Sequence, residues 1–472
     1  MYAKILEIIV NWRVTMKLNT KRTILVGLAF LSISAFWQMY DNVVPLILAN
    51  NFQLDESLTG LIMAADNILA LFLLPLFGGI SDRCNTKIGR RMPFILFGTA
   101  MAVILMNILP FLATGYFADK TAGLLIAFVI VLGLLLISMS TYRSPAVALM
   151  PDVTPKPLRS KGNAIINLMG AVGGLIYLGV AAVVYSDSNI AKHFTIGYIP
   201  GEDGVSVAVV NYSVLFAVVS MIMAAAIAVL FATIREPKLA AENRAYEQAH
   251  PEQILTTTES DGKEVLPKGV KRSLAFLLVS ISLWFIGYNG VTTWFSTYIS
   301  RVMGEGIGGA STCLLVATGG AIVSYIPIGS LASKIGRRKT IMGGVVLLAV
   351  SFLVAFFVTV NATKITPPMF VLFASVGVAW AAINVNSLPM VVEMCKGSEV
   401  GKFTGYYYTF SMVAQVVTPV LAGTLLKTIS YKILFLYAAV FVAGSFVTMC
   451  FVKHGDNKVE SKKGIDAFDV ED

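Results

Sequence analysis

Charged residues are scarce in this sequence. Asp, Glu, Lys and Arg make up 13% of the 472 residues, whereas ~25% is usual in soluble domains. Hydrophobic residues make up 56%, and the mean hydropathy is +0.76. The net charge of +9 does not indicate nucleic-acid binding, because the cations lie in short loops between apolar runs, as in cytoplasmic membrane loops. The composition favours a membrane protein.

Cysteine and histidine are also rare. The four cysteines lack the spacing of a zinc site or a disulfide framework and are Cys84, Cys313, Cys395 and Cys450. The three histidines fall in predicted loops or tails and are His193, His250 and His454. This pattern argues against a metal site and against a histidine proton relay inside the membrane.

Twelve apolar runs are long enough to cross a membrane. They lie at residues 23–49, 58–80, 92–115, 121–150, 162–186, 211–234, 273–299, 309–332, 340–360, 367–392, 402–426 and 432–452. The sequence therefore predicts an all-α membrane protein with twelve transmembrane helices in two pseudo-symmetric six-helix bundles, at 23–234 and 273–452. Residues 1–22, 235–272 and 453–472 are polar and are predicted to be an N-terminal segment without a signal peptide, a linker and a tail.

The distribution of cations predicts the orientation of these helices. Of the 36 Lys and Arg residues, 29 lie in the termini, the linker and the loops at one end of the predicted bundle, and six lie at the other end. Cytoplasmic loops collect Lys and Arg. Both termini are therefore predicted to be cytoplasmic, in a multi-pass protein of the plasma or inner membrane.

A basic loop motif occurs once in each half of the chain. One copy runs from Gly78 to Ile95 and the other from Gly329 to Lys339, and in both a Gly-Arg-Arg follows a cation that lies five residues after the first glycine. Two copies at corresponding places indicate two related halves. The motif resembles the loop between helices 2 and 3, and its repeat between helices 8 and 9, in the major facilitator superfamily.

The loop motifs are predicted to act as topological signals and also as a cytoplasmic gate. Asp82 can accept hydrogen bonds from the amides of a helix N-terminus or from Arg90 and Arg91, and glycines let backbones approach closely. Such contacts would hold the cytoplasmic side shut and release on switching. The predicted gate residues are Gly78, Asp82, Arg83, Gly89, Arg90, Arg91, Asp152, Gly336, Arg337, Arg338 and Glu393.

Apart from Lys402 and Lys432, the first residues of their spans, three charged residues lie within the predicted spans: Asp41, Asp66 and Arg143. A charge at the bilayer centre costs ~2.5–3.5 kcal/mol, so each calls for an explanation. At 1.5 Å per residue, the two carboxylates lie ~12 Å below the outer face and the guanidinium ~13 Å from the inner face. All three therefore fall near the midplane of a ~30 Å core.

These charges predict a central cavity with a titratable carboxylate and a cationic partner. A carboxylate in a medium of low dielectric constant can take up a proton near neutral pH, and a nearby guanidinium opposes this. Asp66 and Asp41 are therefore the candidates for cation coupling, with the proton as coupling ion. Sodium is an alternative, because two carboxylates at one depth could ligate it. A fixed ion pair that locks three helices together is the structural alternative.

Aromatic and polar side chains at similar depths are candidates for substrate binding. The predicted contacts are Trp37, Tyr40, Asp41, Arg143, Asn167, Trp284, Asn289 and Asn384. Aromatic faces combined with amide and carboxylate groups suit a neutral, hydroxyl-rich ligand. Aromatic residues at membrane interfaces and asparagines between packed helices are the alternative interpretation.

Part of the first half resembles a narrower group. Residues 81–84, Ser-Asp-Arg-Cys, and 89–95, Gly-Arg-Arg-Met-Pro-Phe-Ile, are similar to the Ser-Asp-Arg-Cys…Gly-Arg-Arg-Arg-Pro-Phe-Ile of sucrose transporters. These belong to the glycoside–pentoside–hexuronide:cation symporters. Residues 145–154 look like that group's Pro-x-Arg-Ala-Leu-Leu-Ala-Asp-Leu-Thr. The chain departs from plant sucrose transporters at Leu136, where they place a proton-carrying Asp, so coupling is expected at Asp66 or Asp41.

No phosphate loop or catalytic constellation occurs in the sequence, so neither a cofactor nor an enzymatic activity is expected. The predicted function is secondary active transport, as proton-coupled symport of a small neutral sugar or glycoside by alternating access, by a monomer in the lipid bilayer. An exporter or facilitator of another small organic solute, such as a lipophilic cation or drug, is the second candidate. A membrane enzyme or a sensor is the third.

Overall fold

The computed structural model describes residues 18–155, 158–249, 267–394 and 400–456. Within these ranges twelve helices are long and apolar enough to cross a membrane, which agrees with the prediction. A helix satisfies its own backbone hydrogen bonds, as a segment surrounded by hydrocarbon must. In chain order the helices are α1 (Thr20–Leu46), α2 (Glu56–Arg83), α3 (Met92–Asp119), α4 (Ala122–Val153), α5 (Arg159–Val184), α6 (Ser213–Thr233), α7 (Glu236–Ala249, too polar to span), α8 (Lys268–Tyr298), α9 (Ile307–Ile335), α10 (Arg337–Thr359), α11 (Pro367–Val392), α12 (Val400–Thr428) and α13 (Leu434–Cys450).

Each half of the chain has a hydrophobic core of its own. Phe36 and Tyr142 are fully buried in the first core, and Trp294 and Phe295 in the second. Aromatic side chains of this size bury ~150–250 Å² each and dominate the packing around them. The six spans of each half are thus packed around a shared interior.

The segment between α5 and α6 forms a β-hairpin that the sequence analysis did not predict. β1 (Thr195–Pro200) pairs antiparallel with β2 (Ser206–Val210). β2 is rich in β-branched residues, which favour strands, and its alternate residues Val207 and Val209 are buried. We call the end of the bundle that carries this hairpin the hairpin end, and the opposite end, which carries the Gly-Arg-Arg loops, the basic end.

The predicted linker contains a helix, α7, which was also not predicted. It contacts the end of α4, where Asn243 Nδ2 donates to the carbonyl oxygens of Asp152 and Thr154 at 3.1 and 3.4 Å. The last carbonyls of a helix have no partner in their own helix, so this amide satisfies groups that would otherwise be unpaired. The rest of the linker at 250–266, the N-terminal residues 1–17 and the tail from 457 lie outside the described residues.

The first helix of each half ends in the same way. α1 continues into a π turn at Ile47–Asn51, and α8 into a π turn at Ile299–Met303. The two turns meet at the hairpin end, where Asn50 Nδ2 donates to Ser300 Oγ at 3.1 Å. The internal repeat of the sequence is therefore also visible in this irregular feature of the backbone.

The two halves pack closely at the hairpin end. A Cβ atom on Gly60 of α2 would lie 2.2 Å from the carbonyl oxygen of Pro419 in α12. Between α1 and α8, Ser296 Oγ donates to Asn42 Oδ1 at 2.9 Å, and both side chains are buried. Because backbone meets backbone here, this end of the structure is closed.

The close approach at Gly60 gives a test of this packing. We expect Gly60→Ala to lower the free energy of unfolding by ~1–3 kcal/mol, because an added methyl group would overlap the backbone of α12. Thermal unfolding of the purified protein in detergent measures the effect. Gly79→Ala is the matched control on the same helix, since nothing lies within 4 Å of an added Cβ there. Equal melting temperatures for both variants would contradict the close contact.

Candidate functional site

A cavity of about 260 Å³ lies between the two halves. α1, α2 and α4 line it from the first half, and α8 and α12 from the second. The lining residues are Trp37, Asp41, Met63, Asp66, Asn67, Ala70, Arg143, Asn289, Thr292, Thr293, Gln415 and Pro419. Since both halves contribute walls, any movement of one half against the other changes the shape of the cavity.

The three charged residues of the spans meet at this cavity. Asp41 comes from α1, Asp66 from α2 and Arg143 from α4, and all three are partly buried. In the part of the chain that the structure describes, Arg143 forms no ion pair, and its guanidinium lies 5.8 Å from the centre of the Trp37 ring. A cation above an indole ring is attracted by the ring quadrupole. The fixed ion pair considered as a structural alternative is therefore not formed here.

Polar and charged side chains surround Asp66. Asn67 Nδ2 donates to Asp66 Oδ1 at 2.8 Å. Asp66 also lies within electrostatic range of both Asp41 and Arg143. Because a nearby like charge disfavours ionisation and an opposite charge favours it, the charge state of each of these groups depends on the others.

Two lining side chains carry donors without acceptors. Trp37 Nε1 and Asn289 Nδ2 are both buried, and no acceptor contacts either of them among the described residues. Leaving a buried donor unpaired costs ~1–3 kcal/mol. One donor comes from each half, so the arrangement suits a ligand whose oxygen atoms accept hydrogen bonds from both sides of the cavity.

Four of the predicted substrate contacts do not line the cavity. Tyr40 and Trp284 are fully buried; the ring of Tyr40 packs edge-on against that of Trp37, with centroids 5.4 Å apart, and Trp284 belongs to the core of the second half. Asn167 and Asn384 are partly buried and are also not among the lining residues. The prediction used depth along each helix, which fixes the height of a side chain but not the face from which it projects.

The cavity also has polar walls that the predicted site did not include. These come from Asn67, Thr292, Thr293 and Gln415. Helical spacing could have found one of them, because residues three apart are neighbours on a helix surface and Thr292 follows Asn289 by three. The Thr292 hydroxyl donates to the Asn289 carbonyl oxygen at 3.2 Å.

At the basic end of the first half, four of the predicted gate residues form one network. Arg90 Nη2 donates to Asp152 Oδ1 at 2.6 Å, and Arg91 Nε donates to Asp152 Oδ2 at 2.8 Å. Arg91 also pairs with Asp82, so pairing with arginine is the role that Asp82 has here. Burial opposes the charge of Arg91, but the hydrogen bonds and negative charges of Asp152 and Asp82 outweigh it and raise its pKa.

The N-terminus of α3 is capped by a carboxylate from α7. Glu236, only 1% exposed, accepts hydrogen bonds from the backbone N–H groups of Arg90, Arg91 and Met92 at 2.8 to 3.1 Å. These N–H groups have no partner within the helix and carry partial positive charge. Gly89 makes room for the carboxylate, because a Cβ there would lie 2.2 Å from Glu236 Oε2 and because its φ of 123° favours glycine. This carboxylate was not among the predicted gate residues.

The second half repeats this arrangement. Arg337 pairs with Glu393. Asp456, which follows the last span, accepts from the backbone N–H of Arg338 at 3.2 Å. Gly336 has a φ of 95°, and a Cβ there would lie 2.6 Å from Asp456 Oδ1. In both halves, a carboxylate that follows the last span of that half thus accepts hydrogen bonds from the N-terminus of the helix after the Gly-Arg-Arg loop.

The contacts of the gate residues described above lie within one half or between that half and the segment that follows it. A Cβ on Gly78 would lie 2.9 Å from Ser144 Oγ of α4, also within the first half. Arg83 is exposed and forms no ion pair in the described ranges. These contacts therefore stabilise each half, which differs from the predicted role of holding the cytoplasmic side shut.

Twelve spans in two related halves, with a charged cavity between the halves, form an arrangement found in many membrane transporters. The sequence model of the Major Facilitator Superfamily matches residues 26–326 and 308–468. The chain therefore belongs to the major facilitator superfamily, whose members are transporters and not enzymes. This confirms the family and the fold that the repeated loops predicted.

Relatives and solved structures agree with this assignment. Sucrose transport protein SUC3 of Arabidopsis thaliana is 32% identical over 127 residues, which cover 24% of this chain and 21% of the relative. Sucrose transport protein SUC4 of the same plant is 34% identical over 124 residues, 25% of this chain and 24% of the relative. The matches therefore span a quarter or less of each relative. The xylose transporter XylE from E. coli, in an inward open conformation, has a TM-score of 0.60 at 16% identity, covering 94% of this chain and 97% of its own, which shows the fold alone.

The capping carboxylate can be tested by removing its charge. We expect Glu236→Gln to lower the free energy of unfolding by ~1–3 kcal/mol, because a neutral amide oxygen accepts less strongly from the amides at the start of α3. Glu242→Gln is the matched control on the same helix, since its side chain is 53% exposed and a surface pair contributes ~0–1 kcal/mol. Thermal unfolding measures both variants. A larger loss for Glu242→Gln would contradict the role of Glu236.

Proposed function

We propose that the protein is a proton-coupled symporter of a small neutral sugar or glycoside and works by alternating access. One observation carries this proposal: two carboxylates, one guanidinium and two unpaired donors face a single cavity between the halves. The hairpin end is closed in this structure, so the cavity has to be exposed to that side by a rearrangement of the halves.

The charges of the cavity support coupling to a proton. Asp41 and Asp66 carry two negative charges when both are ionised, and Arg143 supplies one positive charge. A proton taken up by either carboxylate relieves their mutual repulsion and leaves the cavity neutral. Movement of Arg143 toward or away from the carboxylates would then favour release or uptake of the proton. Neither carboxylate is satisfied by an ion pair among the described residues, which keeps both available.

The composition of the walls supports a neutral, hydroxyl-rich substrate. An anion would face two carboxylates and a single guanidinium. The indole N–H of Trp37 and the amide of Asn289 can donate to hydroxyl oxygens, while Asn67 and Gln415 add further amide groups. The cavity volume of about 260 Å³ lies just below the ~300–1,000 Å³ of pockets for drug-sized ligands and favours a small substrate. The partial matches to sucrose transporters point in the same direction.

The excess of Lys and Arg at the basic end supports one orientation, because cytoplasmic loops collect these residues. We infer that the basic end and both termini face the cytoplasm, that the hairpin end faces outward, and that the protein acts as a monomer in the cell membrane.

The coupling residues can be tested by neutralising them. We expect Asp66→Asn to abolish uphill accumulation while sparing exchange, because an amide resembles the protonated acid, and Asp41→Asn to act in the same direction. Uptake of labelled sugar by proteoliposomes, with and without a pH gradient, measures this. Asp119→Asn is the control, since this carboxylate is exposed at the end of α3. Accumulation by both cavity variants against a gradient would contradict the assignment, and dependence on sodium would make sodium the coupling ion.

The substrate site can be tested with a matched pair of asparagines. We expect Asn289→Ala to weaken sugar affinity about 2- to 10-fold, because a neutral hydrogen bond contributes ~0.5–1.5 kcal/mol. Asn384→Ala, which does not line the cavity, is expected to leave the affinity unchanged. Thermal shifts with sugars, amines and carboxylates measure binding, since a ligand of the folded state stabilises it. Stabilisation by organic cations alone would contradict the sugar proposal and favour an exporter.

A further inference from the structure

The β-hairpin at residues 195–210, which we call the strap, is built onto the first half of the chain. Its strands form a small buried cluster with Phe117 of α3. The approach is close, because a Cβ on Gly197 would lie 2.4 Å from the Phe117 ring. Asn51 Nδ2 donates to the carbonyl oxygen of Val210 at 3.4 Å. The base of the strap is thus fixed to the first half.

The turn of the strap contacts the second half. Arg301, in the π turn after α8, donates from Nη1 to the carbonyl oxygen of Pro200 at 3.1 Å. Lys432, between α12 and α13, pairs with Asp203 at 2.5 Å between Nζ and Oδ2. The strap therefore bridges two separate elements of the second half from a base on the first.

Further contacts of the turn show that the two surfaces fit. Ser430 Oγ donates to Glu202 Oε2 at 3.2 Å. Gly304 has a φ of 71°, and a Cβ there would lie 2.8 Å from Val205 Cγ1. The segment after α8 thus leaves just enough space for the turn, so the two surfaces are complementary in shape.

We propose that the strap is a latch that holds the hairpin end closed and sets the balance between the closed and open states of that end. This rests on the alternating access proposed above. Because the base of the strap moves with the first half and its turn is held by the second, separating the halves at this end must break every contact of the turn.

The contacts are suited to a latch that opens repeatedly. The Asp203 side chain is 71% exposed and that of Lys432 25%, so water reaches the carboxylate, and the pair costs less to open than a fully buried one. The buried bond between Asn42 and Ser296, deeper in the same interface, is expensive to break because it would leave buried polar groups unpaired. The strap therefore adjusts the populations of the two states without locking either.

Distances between spin labels at the hairpin end test the latch directly. Thr121 and Thr363 are exposed at this end of the first and second halves, and Thr121→Cys with Thr363→Cys provides the labelling sites. We expect the double change Glu202→Gln and Asp203→Asn to raise the ratio of the long to the short distance about 3- to 10-fold. Lys192→Gln is the control, since it removes an exposed charge that forms no ion pair among the described residues.

Cross-linking provides the opposite change. With Asp203→Cys and Lys432→Cys, a short reducible bifunctional thiol reagent is expected to remove the long distance, and a reductant is expected to restore it. Each single cysteine variant, treated in the same way, controls for the native cysteines. The distances are measured on protein that carries both spin labels and the cross-link and has been separated from unreacted material.

The outcomes separate this inference from the proposed function. An unchanged distance distribution in the strap variant, or a persistent long distance after cross-linking, would overturn the latch whatever the substrate is. A shift in the strap variant that the control does not share supports the latch. If no sugar is transported while that shift is observed, the substrate proposal fails and the latch stands, because the distances do not depend on sugar.

Discussion

Transfer of a charge from water into hydrocarbon is the constraint on which the arrangement of this protein depends. The twelve spans keep nearly all their charges at the two ends, where water and headgroups solvate them. Asp41, Asp66 and Arg143 are the exceptions, and all three face the cavity between the halves instead of lipid. A charge at that depth is tolerated when it faces protein or a polar cavity. The cost of keeping these groups in the membrane therefore explains why they meet at this cavity, where we propose that the substrate binds.

Electrostatic interactions also organise the basic end, where carboxylates pair with arginines and with helix N-termini. There carboxylates accept hydrogen bonds from the positive ends of helix dipoles. Glu236 caps the N-terminus of α3, and Asp456 caps that of α10. The arginines of the loops pair with Asp152 and Glu393 in their own halves. Because these bonds join each six-helix bundle to itself or to the segment that follows it, each bundle is braced without contacts to the other half. Two braced bodies can move against each other without losing their own structure.

The sequence predicts the features that repeat and those that break the apolar pattern, because both leave a signal in one dimension. The twelve spans and the meeting of Asp41, Asp66 and Arg143 belong to this class. Which face of a helix points to the cavity depends on packing between helices, and this is why Tyr40 and Trp284, which were predicted from depth alone, lie in cores. The capping role of Glu236 could not be found for a related reason: its partners are backbone N–H groups 144–146 residues away, which no side-chain pattern marks.

The contacts between the halves at the hairpin end are of two kinds, and the difference bears on how the transporter moves. Close backbone contacts such as that at Gly60 require one relative position of the two helices and are lost when the helices separate. The polar contacts of the strap include the Asp203–Lys432 pair, in which the Asp203 side chain is 71% exposed, so they cost less to break than buried hydrogen bonds. In the mechanism we propose, weak contacts of the strap favour closure of the hairpin end, and the charges in the cavity determine which state binds a proton. Neither the strap contacts nor the cavity charges can reverse the conformation alone. A contact shifts the equilibrium between the closed and open states only by the difference in its energy between them.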